Sequence, residues 1–275
     1  MELGFNPVAI FEVLIASALG LCFGSFVTAV SYREPLGLSW VTNKDTKAAR
    51  SQCPSCGHVL NFADLIPLFS WILTLGKCRY CKKTIGIKYP MIELSSMLLF
   101  LLNYLQFGLS VEFAIIGIAT SFLLALFIID SEHYILPNKL VVIVLVCATI
   151  LHSYNGIQYG WDLYRLLPYL IGAIILPAIL WLLGLIVSKL KKRESVGFGD
   201  VKLFAAVGLW LGVGYIPFIM LMAGFGGLVT AVIWKCKQKG EVFPFGPAII
   251  VSLYLGILIQ YGDKFEVLRE TIQLF

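Results

Sequence analysis

Residues 201–234 form a stretch of 34 with one charge, Lys202. As a single helix rising about 1.5 Å per residue it would reach roughly 50 Å, against a bilayer hydrocarbon core of about 30 Å. So long an apolar run belongs in a membrane, and it must fold back within itself. Gly212, Gly214 and Pro217 supply the break, which divides it into two short passes.

The remainder of the chain has the same character. Hydrophobic residues make up 59% of the 275 and charged residues 13%, with a mean hydropathy of +0.88. Further apolar runs lie at residues 8–30, 91–107, 113–129, 140–154, 166–187 and 245–261, which brings the expected total to eight passes. The predicted fold is an all-α polytopic membrane protein of about eight transmembrane helices. It divides into a first helix (1–30), a small loop domain (31–90) and a seven-helix membrane domain (91–275). Residues 1–7 carry no Lys or Arg, so the first run is expected to stay as an anchor rather than be removed as a signal peptide. The net charge of +5, with no array of basic and aromatic residues, argues against a nucleic-acid partner and leaves membrane lipids as the surroundings.

Placement of the basic residues predicts orientation. If the loop after the first pass is cytoplasmic, 18 of the 21 Lys and Arg fall on that side, and only Arg165, Lys264 and Arg269 fall opposite. Such a split predicts both termini outside and the 31–90 loop in the cytosol. It also supports the break in 201–234, because a single pass there would carry Lys235, Lys237 and Lys239 to the wrong side.

Four of the seven cysteines are paired as Cys53-Pro54-Ser55-Cys56 and Cys78-Arg79-Tyr80-Cys81, with 21 residues between the pairs. Two tight knuckles offering four thiolates suit tetrahedral zinc, and stable disulfides are disfavoured in a reducing cytosol. Cys53, Cys56, Cys78 and Cys81 are therefore the expected ligands of a structural zinc. With all four positions filled by sulfur, such a site has no place for substrate. His58 is expected at the surface, and Cys22, Cys147 and Cys236 are expected to pack or lie exposed.

Two aspartates stand at the ends of apolar runs: Asp130, and Asp200 in Gly197-Phe198-Gly199-Asp200. In the predicted topology both reach the cytoplasmic border, where facing carboxylates can share a proton and work as general base and general acid. A plainer reading is that each caps a helix: Asp200 at the start of its run, and Asp130 on the turn 131–134. Glu93, Glu132 and His133 are expected to be solvated at the same border, and His152 to lie on the outer side.

The chain also carries Gly24-Ser25-Phe26 with Tyr32-Arg33; the cysteine loop with Ile66-Pro67, Ser70-Trp71 and Gly76-Lys77; and Tyr89-Pro90 with Glu93. Asp130 before Leu136-Pro137-Asn138, Gly197 to Leu203, and Phe245-Gly246-Pro247 complete the set. Together these motifs resemble the prepilin peptidase family of Gly-x-Gly-Asp membrane aspartyl proteases. Thr28 stands where that family usually carries Asn, and Glu34 where an apolar residue is common. The resemblance implies that Asp130 and Asp200 are catalytic in an enzyme of the bacterial inner membrane. Its substrates would be type IV prepilins or pseudopilins, which lose a short basic leader at the cytoplasmic border. It also implies an N-methyltransferase activity using S-adenosylmethionine, although no strand followed by Gly-x-Gly-x-x-Gly is present to hold that cofactor. Two other classes compete: a zinc-loop scaffold of a pilus or secretion assembly without peptidase activity, and an ion-coupled transporter. The transporter is disfavoured by the lack of mid-span charges and inverted repeats.

Overall fold

The computed structural model describes residues 7–40, 51–160, 162–191, 197–236, 243–262, 265, 269–270 and 272. Among them are nine α-helices: α1 (Pro7–Arg33), α2 (Phe69–Leu73), α3 (Lys88–Phe107), α4 (Val111–His133), α5 (Asn138–Tyr159), α6 (Leu163–Lys191), α7 (Phe198–Leu211), α8 (Ile216–Cys236) and α9 (Gly246–Tyr261). Six spans are long and apolar enough to cross a membrane: α1, α3, α4, α5, α6 and the stretch Val213–Cys236 that contains α8. Helices α7 and α9 have 14 and 16 residues, so they are apolar but short, about 21 and 24 Å. Eight apolar helices thus stand where eight passes were expected. Of the basic residues counted above, Lys44, Lys47, Arg50, Lys192, Arg193, Lys237, Lys239 and Lys264 lie outside the described residues.

The chain separates into two compact units, residues 1–113 and 114–275. In the first, α1 packs along α3 through a stripe of small residues, Ala16, Gly20 and Gly24, four apart and buried. A Cβ added at Gly20 would lie 2.6 Å from the Met97 Cα, and one at Gly24 would lie 2.7 Å from the Glu93 Cα. Only the absence of a side chain lets the two backbones approach so closely, which is how helices gain contact where lipid offers no hydrophobic drive. Below the stripe, Phe100 stacks on Phe23 at 5.3 Å and meets Phe113 edge-on at 5.9 Å. The loop is tied to α3 by Glu93, whose Oε2 accepts the Leu68 amide at 2.8 Å. Glu93 is thus half-buried and structural, rather than solvated as expected from sequence.

In the second unit, α7 lies between α5, α6 and α9. Gly172 of α6 and Gly208 of α7 touch backbone to backbone. Trp210, fully buried, donates its indole N–H to the Val144 carbonyl at 3.0 Å, and the Tyr261 hydroxyl donates to the Trp210 carbonyl at 2.6 Å. Polar groups in a lipid-embedded core need such partners. After Leu211 the chain turns at Gly212, whose φ of +76° suits glycine, passes a short 3-10 turn at Val213–Tyr215, and enters α8 with Pro217 in its first turn. Lys202 donates to Asn138 Oδ1 at 2.8 Å, and the Trp234 indole donates to the Tyr134 hydroxyl at 2.8 Å. Both ends of the long apolar stretch therefore return to the connection between α4 and α5, which is the fold-back that its length required.

Candidate active site and metal centre

Asp130 lies within the last turn of α4, whose helix continues to His133, so it does not cap the turn at 131–134. It is 5% exposed; the Gly246 amide acts on its carboxylate, although its Oδ2 has no partner of full hydrogen-bond geometry among the described residues. The first turn of α9 closes over it: a Cβ added at Gly246 would sit 2.6 Å from that oxygen. Unpaired helix amides and the positive end of the helix dipole favour negative charge at such a place.

Asp200 is the third residue of α7, and Gly197 is the helix cap. Its carboxylate curls back against the Gly197 backbone, so the capping expectation survives only as support from inside the first turn. It is half-buried, and its charge acts on Asp130. Two contacts carry α7 to this place. Gly199 packs on Leu136, where an added Cβ would lie 3.1 Å from the Leu136 Cβ, and Lys202 bonds Asn138 while lying 4.6 Å over the Phe198 ring. Leu136 and Asn138 thus tether the helix that bears Asp200 to the turn that follows Asp130. Glu132 and His133 are exposed, as expected.

The candidate metal centre, the cysteine tetrad, belongs to the first unit. The Sγ atoms of Cys53, Cys56, Cys78 and Cys81 all lie within 4.8 Å of one another, and Cys53 and Cys81 are 3.9 Å apart. Four sulfurs about 2.3 Å from a tetrahedral ion would be separated by roughly 3.8 Å, so the set fits a metal with a slight contraction. The two knuckles are built alike. Each first cysteine accepts from a residue four positions on with positive φ (Gly57 at +69°, Lys82 at +60°), and donates to the carbonyl of the next one, His58 or Lys83. The Ser55 amide, which outweighs the opposing effect of burial, draws the Cys53 thiol down to about 6, towards the thiolate that a metal binds. His58 is exposed and lies tilted against Tyr80, with 3.5 Å between ring centres, which leaves the cysteines as the donor set.

Sequence reasoning did not assign roles to Gly246, Leu136, Asn138 or Glu93. All four lie in short motifs with a helix-starting Gly-Pro, a Leu-Pro-Asn turn or a border acid, and those motifs were the available signal.

Residues 18–107 match the Bacterial Peptidase A24 N-terminal domain, and residues 115–232 match the Type IV leader peptidase family. A prepilin leader peptidase/N-methyltransferase of Stutzerimonas stutzeri is 32% identical over 95% of this chain and 94% of its own length. The chain belongs to the type IV leader peptidase family. Other members of this family that it resembles include a prepilin leader peptidase/N-methyltransferase of Neisseria gonorrhoeae, 32% identical over 88% of each chain. A type 4 prepilin-like proteins leader peptide-processing enzyme of Escherichia coli is 32% identical over 89% of this chain and 94% of its own. No solved structure gives a match. Membership in this family, together with its apolar helices, makes the chain a multi-pass protein of the bacterial inner membrane.

Proposed function

We propose that this protein is an aspartyl endopeptidase that removes the short basic leader from type IV prepilins or pseudopilins, with Asp130 and Asp200 as its catalytic pair. The observation that carries the reading is the buried Asp130 carboxylate, covered by the head of α9 and within electrostatic reach of Asp200. On this reading one carboxylate is ionised and the other protonated, because like charges within reach of each other do not both ionise cheaply. The ionised one takes a proton from a water as its oxygen attacks the scissile carbonyl, and the protonated one donates to the carbonyl oxygen. Collapse of the resulting diol breaks the C–N bond and returns a proton to the leaving amine.

The cysteine tetrad would hold zinc, which supplies a rigid cross-link for the loop and takes no part in hydrolysis. The cysteine loop and the aspartates face the cytosol and both termini lie outside. In the second unit this orientation is supported by Lys139, Lys202 and Lys235 at the aspartate end, with Arg165 and Arg269 at the other. A second activity, methylation of the new N-terminus with S-adenosylmethionine, is part of the reading. The described residues form no parallel sheet, so a Rossmann cradle is not what would hold that cofactor, and no residue here is assigned to it.

The deciding experiment incubates purified protein with a prepilin peptide in detergent and weighs the products by mass spectrometry, with and without S-adenosylmethionine. A leader-sized loss is expected for the wild type and none for Asp130→Asn or Asp200→Asn, with an added methyl when the cofactor is present. Normal trimming by a folded double Asn variant would end the peptidase reading.

A further inference from the structure

A cavity of about 510 Å³ opens in the second unit at the end remote from the aspartates, where α5 ends, α6 begins and the chain turns between α7 and α8. Along α9 from Gly246 to Gln260 the separation is about 21 Å, so this space is no extension of the catalytic region. Its walls include His152, Asp162, Arg165, Tyr169, Tyr215 and Gln260.

Most of that polar set is already engaged. The His152 ring donates through Nε2 to the Leu209 carbonyl at 2.7 Å and lies 4.1 Å from the Tyr169 ring. Gln260 Nε2 donates to the Tyr169 hydroxyl at 3.0 Å. Two groups are not engaged. Tyr215 is 1% exposed, yet its hydroxyl has no partner among the described residues, and neither has Gln260 Oε1. Leaving a buried hydroxyl and a buried amide oxygen without partners is costly, which argues for something that meets them.

The charges specify the chemistry. Arg165 stands at the mouth beside Asp162, and Arg269, bonded to the Gln260 carbonyl, acts electrostatically on Tyr215. A cation and a phenolic donor suit a phosphate. An unpaired amide oxygen, a carboxylate and the faces of Tyr169 and Tyr215 suit an ammonium. Beside the mouth, next to Leu166, an exposed stripe of Leu163, Leu167, Leu170 and Ile174 runs along α6 and offers a bed for acyl chains. We propose that this cavity binds the headgroup of an aminophospholipid, the phosphate on Arg165 and Tyr215 and the ammonium on Gln260 and Asp162.

The test uses the full chain, delipidated in detergent, with four probes: short-chain phosphatidylethanolamine, phosphatidylcholine, phosphatidylglycerol and free phosphoethanolamine. Binding is read by native mass spectrometry and by the rise in melting temperature. Phosphatidylethanolamine is expected to bind about tenfold tighter than phosphatidylcholine, which has no N–H for Gln260, and about tenfold tighter than phosphatidylglycerol, which has no cation for Asp162. Tyr215→Phe and Gln260→Leu should each weaken it by about tenfold. In lipid-free protein, Tyr215→Phe should melt no lower than wild type, because it deletes only an unpaired hydroxyl. Equal binding of the three lipids, unaltered binding by Tyr215→Phe, or a lower lipid-free melting temperature for that variant would overturn the proposal. Competition by free phosphoethanolamine at the strength of the lipid would overturn the lipid assignment. Because the readout is binding, the result is independent of whether Asp130 and Asp200 cleave a precursor.

Discussion

The Oδ2 of Asp130 and the α-carbon of Gly246 stand so close that a methyl group on that carbon would lie 2.6 Å from the oxygen. Glycine at the head of α9 is therefore required by the carboxylate it covers. Its backbone φ is not in the left-handed region, so the demand is one of space. Gly246→Ala should leave the helix able to form and displace the Asp130 carboxylate. A displacement of about 1 Å at a reacting group costs on the order of 100-fold in rate. Cleavage of a prepilin peptide by the folded Gly246→Ala variant at the wild-type rate would show that this approach does not matter.

Lys202 and Asn138 couple the helix that carries Asp200 to the turn after Asp130. An exposed hydrogen bond with one charged partner contributes about 0.5–1.5 kcal/mol, so Asn138→Ala and Lys202→Met should each lower stability by that order. Their effects on turnover should be less than additive, since either change releases the same tether. A double-mutant cycle in kcat checks this, and strict additivity would mean that the contact does not hold the pair in register.

Cys53 and Cys78 are buried at the two knuckles, and each donor set is incomplete without both. Replacing either with Ser should reduce metal from stoichiometric to background, measured by elemental mass spectrometry on the purified protein. Chelation of the wild type should loosen the loop in the same way, seen as faster proteolysis between residues 51 and 88. Retention of a full equivalent of zinc by Cys53→Ser would remove the tetrad as its site.

Gly20 and Gly24 place the backbone of α1 against Met97 and Glu93 of α3. Inserting a side chain there forces the helices apart, and overpacking of this kind costs about 1–3 kcal/mol or more. Gly20→Leu should lower the melting temperature of the detergent-purified protein more than Gly214→Leu, a glycine with open space beside it. Equal losses would refute the close packing of α1 on α3.

Which segments are apolar helices could be read from the sequence, because the demand to satisfy every backbone amide in lipid turns an apolar run into a helix without reference to its neighbours. The cysteine spacing likewise announced a tetrad able to hold a metal, since four sulfurs in two tight knuckles carry their geometry locally. Even the fold-back in 201–234 followed from length alone. What required the tertiary structure were the relations between distant segments. Glycine at position 246 has meaning only because α9 happens to begin over Asp130, and Glu93 became a loop tether only when Leu68 arrived beside it. The polar cavity at the far end is assembled from α5, α6, α9 and the turn before α8, each of which contributes residues that look unremarkable in their own stretch. Periodicity and spacing report what a segment does with its own backbone, whereas close approach, burial and an unpaired oxygen are properties of two or more segments meeting.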